Sequence, residues 1–148
     1  MKRFVFPLDG VTKWRRTQAR MEEFKLERQY TQLRDLGQQI EALALQRSSA
    51  GRTLIAKGSA NGLELTLLDA FQQAADAELL RLERSKSDCR RGIEAQVLAV
   101  AERRRDVRLL ENLKERKFQT WKMASNREID QQAEEAFLAR WSGSSTVP

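Results

Sequence analysis

Apolar residues recur along the first third of the chain at intervals of three or four, at Leu26, Tyr30, Leu33, Leu36, Ile40 and Leu43, with Glu, Arg and Gln between them. That spacing places one buried stripe along a helix. A longer series, Leu68, Ala75, Leu79, Leu82, Cys89, Ile93, Val100, Val107, Leu110 and Trp121, falls at or close to a 3.5-residue repeat, sustained over about seven heptads. The pattern predicts helix one over residues 8–48, a turn over 49–62 and helix two over 63–141. Pro7 and Asp9 suit the entry to helix one, because proline is tolerated in a first turn and an acid there opposes the positive end of the helix dipole. Ser48, Ser49 and Gly51 are stop signals, although Thr53 to Lys57 could add a turn before Gly58-Ser59-Ala60-Asn61-Gly62.

The two stripes have one partner each within the chain, namely each other, so the fold class expected is all-α: a long antiparallel two-helix coiled-coil hairpin forming a single elongated domain. At 1.5 Å per residue the arms would span roughly 60 Å and roughly 115 Å, and the longer must overhang. A reversal near Lys57 sets Ile40 opposite Ala75, Leu33 opposite Leu82, Leu26 opposite Cys89 and Val11 near Arg104. The overhang then starts near Glu115 and carries Phe118, Trp121, Ile129, Ala133, Phe137 and Trp141, apolar residues free to dock on another molecule. The alternative is that helix two bends and covers them itself. Gly37, Lys86, Gln96 and Arg103 fall at or near the seam and weaken it, while polar seam residues also fix register.

Composition narrows the chemistry. The 148 residues are 32% charged, carry two prolines at Pro7 and Pro148, one cysteine and no histidine. A single cysteine excludes an internal disulfide, and the lack of histidine removes the commonest metal ligand and near-neutral acid-base group. The apolar run Phe4-Val5-Phe6 before Pro7 is too short for a signal peptide core or a membrane span, which gives a cytoplasmic expectation. No G-x-S-x-G motif is present, and Gly51 to Ser59 only faintly echoes a phosphate loop. Adjacent acids such as Glu22 and Glu23, or Glu134 and Glu135, diverge by about 100° on a helix and do not converge on a substrate. The expectation is a protein that is not an enzyme and takes no cofactor or metal. Cys89 reads as a small core filler, and Phe71, one position from a seam site, either flanks the core or offers a ring to a partner.

Charge is unevenly placed. Residues 1–20 hold Lys2, Arg3, Lys13, Arg15, Arg16 and Arg20 against Asp9, and residues 103–122 hold Arg103, Arg104, Arg105, Arg108, Lys114, Arg116, Lys117 and Lys122 against Asp106, Glu111 and Glu115, a balance of +5 in each. The expected hairpin brings these segments side by side into a basic end, with Glu128, Asp130, Glu134 and Glu135 beyond it. That end fits an acidic partner or a solvated surface. A pI near 9.9 also admits nonspecific nucleic-acid binding, but the basic residues are interleaved with acids and no leucine zipper continues a basic region.

The opening Phe4-Val5-Phe6-Pro7-Leu8-Asp9-Gly10-Val11 before an Arg-rich helix, a Leu-rich stretch with Phe71 after the turn, and Leu109-Leu110-Glu111-Asn112-Leu113-Lys114-Glu115-Arg116 followed by Trp121, Glu128, Ile129, Asp130 and Ala133 resemble the FliJ family of flagellar export proteins, close to the stalk proteins of related type III secretion systems. The resemblance covers nearly the whole chain, and departs from the family's pattern in the Gly-rich turn and in the apolar Phe137-Leu138 and Trp141. It implies an antiparallel stalk that enters the ring of a hexameric export ATPase, contacts the cytoplasmic domain of the export gate membrane protein and helps recycle export chaperones, while peripherally associated with the inner membrane. By resemblance the ATPase contact falls on Arg15, Arg16, Arg103, Arg104, Arg105, Arg108, Lys114, Arg116, Lys117 and Trp121, and the gate contact on Phe71 and Ala75. The competing expectation is a general coiled-coil scaffold, or an export chaperone holding a secreted subunit along Phe118, Ile129, Phe137 and Trp141.

Overall fold

A computed structural model describes residues 2–144. They form two helices that pack against each other, α1 (Asp9–Ala56, 48 residues) and α2 (Gly62–Ser144, 83 residues), and no strand occurs among the described residues.

Helix α1 begins where expected: the Asp9 amide donates to the Phe6 carbonyl at 3.2 Å, closing a turn around Pro7. It does not end at Ser48. Ala50, Gly51 and Leu54 are half-buried and extend the inward stripe for two more turns, so packing against α2 overrides the local stop signals. A Cβ placed on Gly51 would meet the Gln72 side chain at 3.6 Å, which locates this glycine in the interface rather than in a turn. The reversal is confined to residues 57–61. Gly58 takes φ of 76°, the left-handed conformation that ends helices and that a side chain would disfavour. Asn61 then caps α2, its Oδ1 accepting the Glu64 amide at 2.8 Å. Glu64 also receives Lys57 Nζ at 2.7 Å across the turn. The hydrogen bond from Lys57 is the main reason the Glu64 carboxyl sits below its ordinary pKa.

Burial along both helices repeats every seven residues. On α1 the inward rows are Thr12, Ala19, Leu26, Leu33, Ile40, Arg47 and Leu54, and Arg15, Glu22, Gln29, Leu36, Leu43 and Ala50; on α2 one row runs Leu68, Ala75, Leu82, Cys89, Gln96, Arg103 and Leu110. Tyr30, expected in the stripe, is instead exposed, and Gln29 takes the inward place; Val11 likewise yields to Thr12. The cause is the strict seven-residue step, which carries Leu26 to Leu33 and Glu22 to Gln29 and leaves Tyr30 just outside.

The contacts fall into two compact units. In the unit of residues 19–102, Ala19, Ala75, Leu82, Ile93 and Val100 are buried. Polar bonds cross between the helices throughout this unit. Gln96 Nε2 donates to the Glu22 carbonyl at 2.9 Å and carboxylate at 2.6 Å, Cys89 Sγ donates to the Gln29 carbonyl at 3.5 Å, and Arg47 grips both Asp76 oxygens at 2.7 and 3.3 Å. Their order is antiparallel. Cys89 faces Gln29 rather than Leu26, because the reversal lies a few residues later than Lys57. The other unit pairs residues 2–18 with the C-terminal part of α2 from Arg103, also antiparallel: Lys114 bonds Asp9 at 3.0 Å, and Arg16 bonds Glu111 at 3.0 Å. Thr12, only 2% exposed, satisfies its hydroxyl by donating to the Leu8 carbonyl at 3.0 Å.

Candidate functional site

The candidate surface lies in the unit built from the N-terminal segment and the C-terminal part of α2. Its cations divide into two sets. The first is drawn into the helix pair. Arg15 is half-buried, lies 3.7 Å from Asp106, donates to Gln18 at 3.3 Å and sits 5.1 Å over the ring of Trp14. Arg16 and Lys114 hold the acids named above, and Arg103 donates to Gln18 at 3.5 Å. These side chains join α1 to α2 as much as they face outward.

Arg104, Arg105, Arg108, Arg116 and Lys117 form the second set, and all five are exposed. At 100° per residue, Arg105, Arg108 and Arg116 lie within about 80° of one another, on the side of α2 away from Leu110 and Arg103. The exposed Leu109 and Asn112 share that side. This face combines positive charge with one apolar side chain, the composition of an acidic-protein docking surface.

Trp121 and Phe118 sit differently from the expectation of an uncovered arm. Residues ahead of α1 fold onto them. Phe4 meets Phe118 edge-on at 5.3 Å and Trp121 at 5.8 Å, Phe118 stacks on Trp121 at 5.8 Å, and the Trp121 indole donates to the Lys2 carbonyl at 3.2 Å. Phe6, 3% exposed, is buried in the same unit. The N-terminal segment is therefore a strap that lengthens the short arm. The sequence carried a signal for it: Phe4 and Phe6 alternate on an extended chain, so they can present rings to an adjoining helix before Pro7.

The tail bears a separate apolar row. Continuing the inward rows of α2 past Trp121 and Ser125 leads to Glu128, Gln132, Glu135 and Ala139, none of them a large apolar residue. Ile129, Ala133, Phe137 and Trp141 instead step four residues at a time along a different side, and every described residue after Ser125 is exposed. Phe137 and Trp141 touch edge to face at 6.3 Å, and Leu138 flanks them.

In the unit of residues 19–102, Ala75 lies in the interface at 3% exposure while Phe71 is 38% exposed. Phe71 therefore reaches solvent and Ala75 does not. Leu67, one turn before Phe71, is exposed on the same side. On α1, exposed Met21 and Phe24 line a shallow groove with Lys25 and Arg28, a surface the apolar spacing missed because these residues lie outside the heptad rows.

Among the described residues, no cluster of His, Cys, Asp or Glu could hold a metal ion, and no helix is long and apolar enough to cross a membrane. Compared with known proteins, the chain matches no family model, no curated protein and no solved structure.

Proposed function

We propose that this chain is the non-enzymatic stalk of a flagellar type III export apparatus: an antiparallel coiled-coil hairpin whose longer helix projects beyond the shorter, engaging a hexameric export ATPase at its basic end. The observation that carries the reading is the seven-residue burial of both helices, joined by cross-helix bonds at Glu22–Gln96 and Asp9–Lys114, together with the resemblance in Leu109 to Arg116. Polar bonds tie the two helices together within each unit, and the outward Arg105, Arg108 and Arg116 supply charge for an acidic ring lining. Bound in a symmetric ring, a stalk favours some subunit conformations over others and so couples hydrolysis to substrate entry at the gate. Phe71, with Leu67 beside it, is the candidate gate contact. The stalk reads as cytoplasmic and peripherally bound to the inner-membrane apparatus, and export chaperones are further partners.

The test is reconstitution with the cognate export ATPase. The stalk should promote ring assembly and raise hydrolysis, and Arg105→Glu with Arg108→Glu should abolish both effects while leaving helicity unchanged. No change in assembly or turnover on adding the intact chain would defeat the proposal.

A second reading, a scaffold or export chaperone for a secreted subunit, draws on the exposed row Ile129, Phe137 and Trp141. It predicts that removing residues after Ser125 abolishes client binding and spares any effect on the ATPase. The pairing of Arg15 with Asp106 and Arg16 with Glu111 weighs against a face that tracks nucleic-acid phosphates.

A further inference from the structure

The apolar row on the tail leaves several large side chains in water. Ile129 is 52% exposed, Phe137 63%, Leu138 62% and Trp141 63%. Four-residue steps make this row a ridge of the kind that packs into a groove between the ridges of a second helix.

The residues along the ridge are arranged for a copy of themselves. If two tails cross antiparallel about a two-fold axis at Glu135, Ile129 comes level with Trp141 of the second copy and Ala133 comes level with its Phe137. Each aromatic ring then meets a smaller aliphatic residue, and no ring is forced onto another. The same axis sets Asp130 level with Arg140 of the second copy, and by symmetry this happens twice. Shifting the axis by a residue and a half, to between Ala133 and Glu134, would set Arg127 level with Arg140, where like charges repel. Charge thus favours the register centred on Glu135 over that shifted one.

We infer that the tail, around residues 129–141, is a self-association surface through which two copies of this chain form an isologous antiparallel dimer. A two-fold contact of this kind is closed and does not propagate. A contact confined to two short helical faces is small against the roughly 1,200 to 2,000 Å² of a stable protein interface, so the dimer is weak and exchanges readily. The inference does not depend on the stalk reading, since the ridge and its charges belong to the chain whatever its partner.

Sedimentation velocity on the full chain tests it, from about 1 μM to a few hundred μM, the range over which such a weak contact should titrate. A reversible shift from monomer to dimer is expected. Trp141→Glu should move the midpoint at least tenfold upward, with circular dichroism confirming that the helices persist. Asp130→Arg and Arg140→Asp should each weaken the dimer, and the double exchange should restore it. A chain that stays monomeric throughout, a dimer untouched by Trp141→Glu, or a double exchange no better than either single change would overturn the inference. The ATPase assay above reads a different face, so the two results can fail separately.

Discussion

Replacing Phe4 by alanine should release the N-terminal strap without unfolding the helices. Phe4 is half-buried and touches two rings, Phe118 at 5.3 Å and Trp121 at 5.8 Å. Full removal of a buried Phe costs about 3 to 5 kcal/mol, and an aromatic pair contributes about 0.5 to 1.5 kcal/mol. Halving the first figure for partial exposure leaves about 2 kcal/mol, which corresponds to a roughly 30-fold increase in local opening. Hydrogen exchange at the Asp9 amide, which bonds the Phe6 carbonyl at the base of the strap, should accelerate by that factor, while exchange near Leu82, in the other unit, stays unchanged. In a background where Trp14 and Trp141 are phenylalanine, Trp121 fluorescence should shift to longer wavelength. A double-mutant cycle with Trp121→Ala should return a coupling of about 1 kcal/mol between the two rings. Acceleration of less than about twofold, or a coupling indistinguishable from zero, would refute the claim that the strap is held by this cluster.

Leu82→Ala, at a site 4% exposed, should cost about 2 to 4 kcal/mol in chemical denaturation, because a two-helix interface offers little to refill the void. Gly37→Ala should instead raise stability by up to about 1 kcal/mol, since a methyl there meets nothing within 4 Å and helix propensity improves. Gly58→Ala should lower it by about 1 to 2 kcal/mol by forcing a side chain into left-handed backbone; both are read by thermal melting. The Glu64 carboxyl, held below its ordinary value mainly by the hydrogen bond from Lys57, contributes stability that is present above its unfolded pKa and lost as pH falls through the lowered folded value. NMR titration should find that depression, and Glu64→Gln should flatten the acid limb of the stability profile.

The architecture was legible wherever the apolar residue and the heptad position coincided. Leu26, Leu33 and Ile40 on one helix, and Ala75, Leu82, Ile93 and Val100 on the other, announce their faces by type. Where a polar residue occupies the inward place, type misleads. Gln29 is inward and Tyr30 outward because the seven-residue step outranks hydrophobicity at a single position, and the Gln29 side chain lies over Gly92, where an added Cβ would come within 3.6 Å of its Nε2. The end of α1 was misplaced for a related reason: Ser48, Ser49 and Gly51 are weak helix formers, but each is a local preference of under about 1 kcal/mol against burial of the next turn. The strap escaped because Phe4 and Phe6 lie outside any helix and gain meaning only from Phe118 and Trp121, more than a hundred positions later. Phe71 and Ala75, adjacent on paper, part company once α2 turns Ala75 inward.

The polar crossings within the helix pair have a mechanical consequence. A purely greasy interface would tolerate slippage by seven positions, since leucine replaces leucine. Here Gln96 has its acceptors at Glu22, Arg47 its carboxylate at Asp76 and Cys89 its carbonyl at Gln29, and a slide of one heptad would break all three together. The pair is keyed like a lock whose wards admit one alignment, so an axial pull on either helix is resisted by polar bonds that yield in concert instead of one at a time.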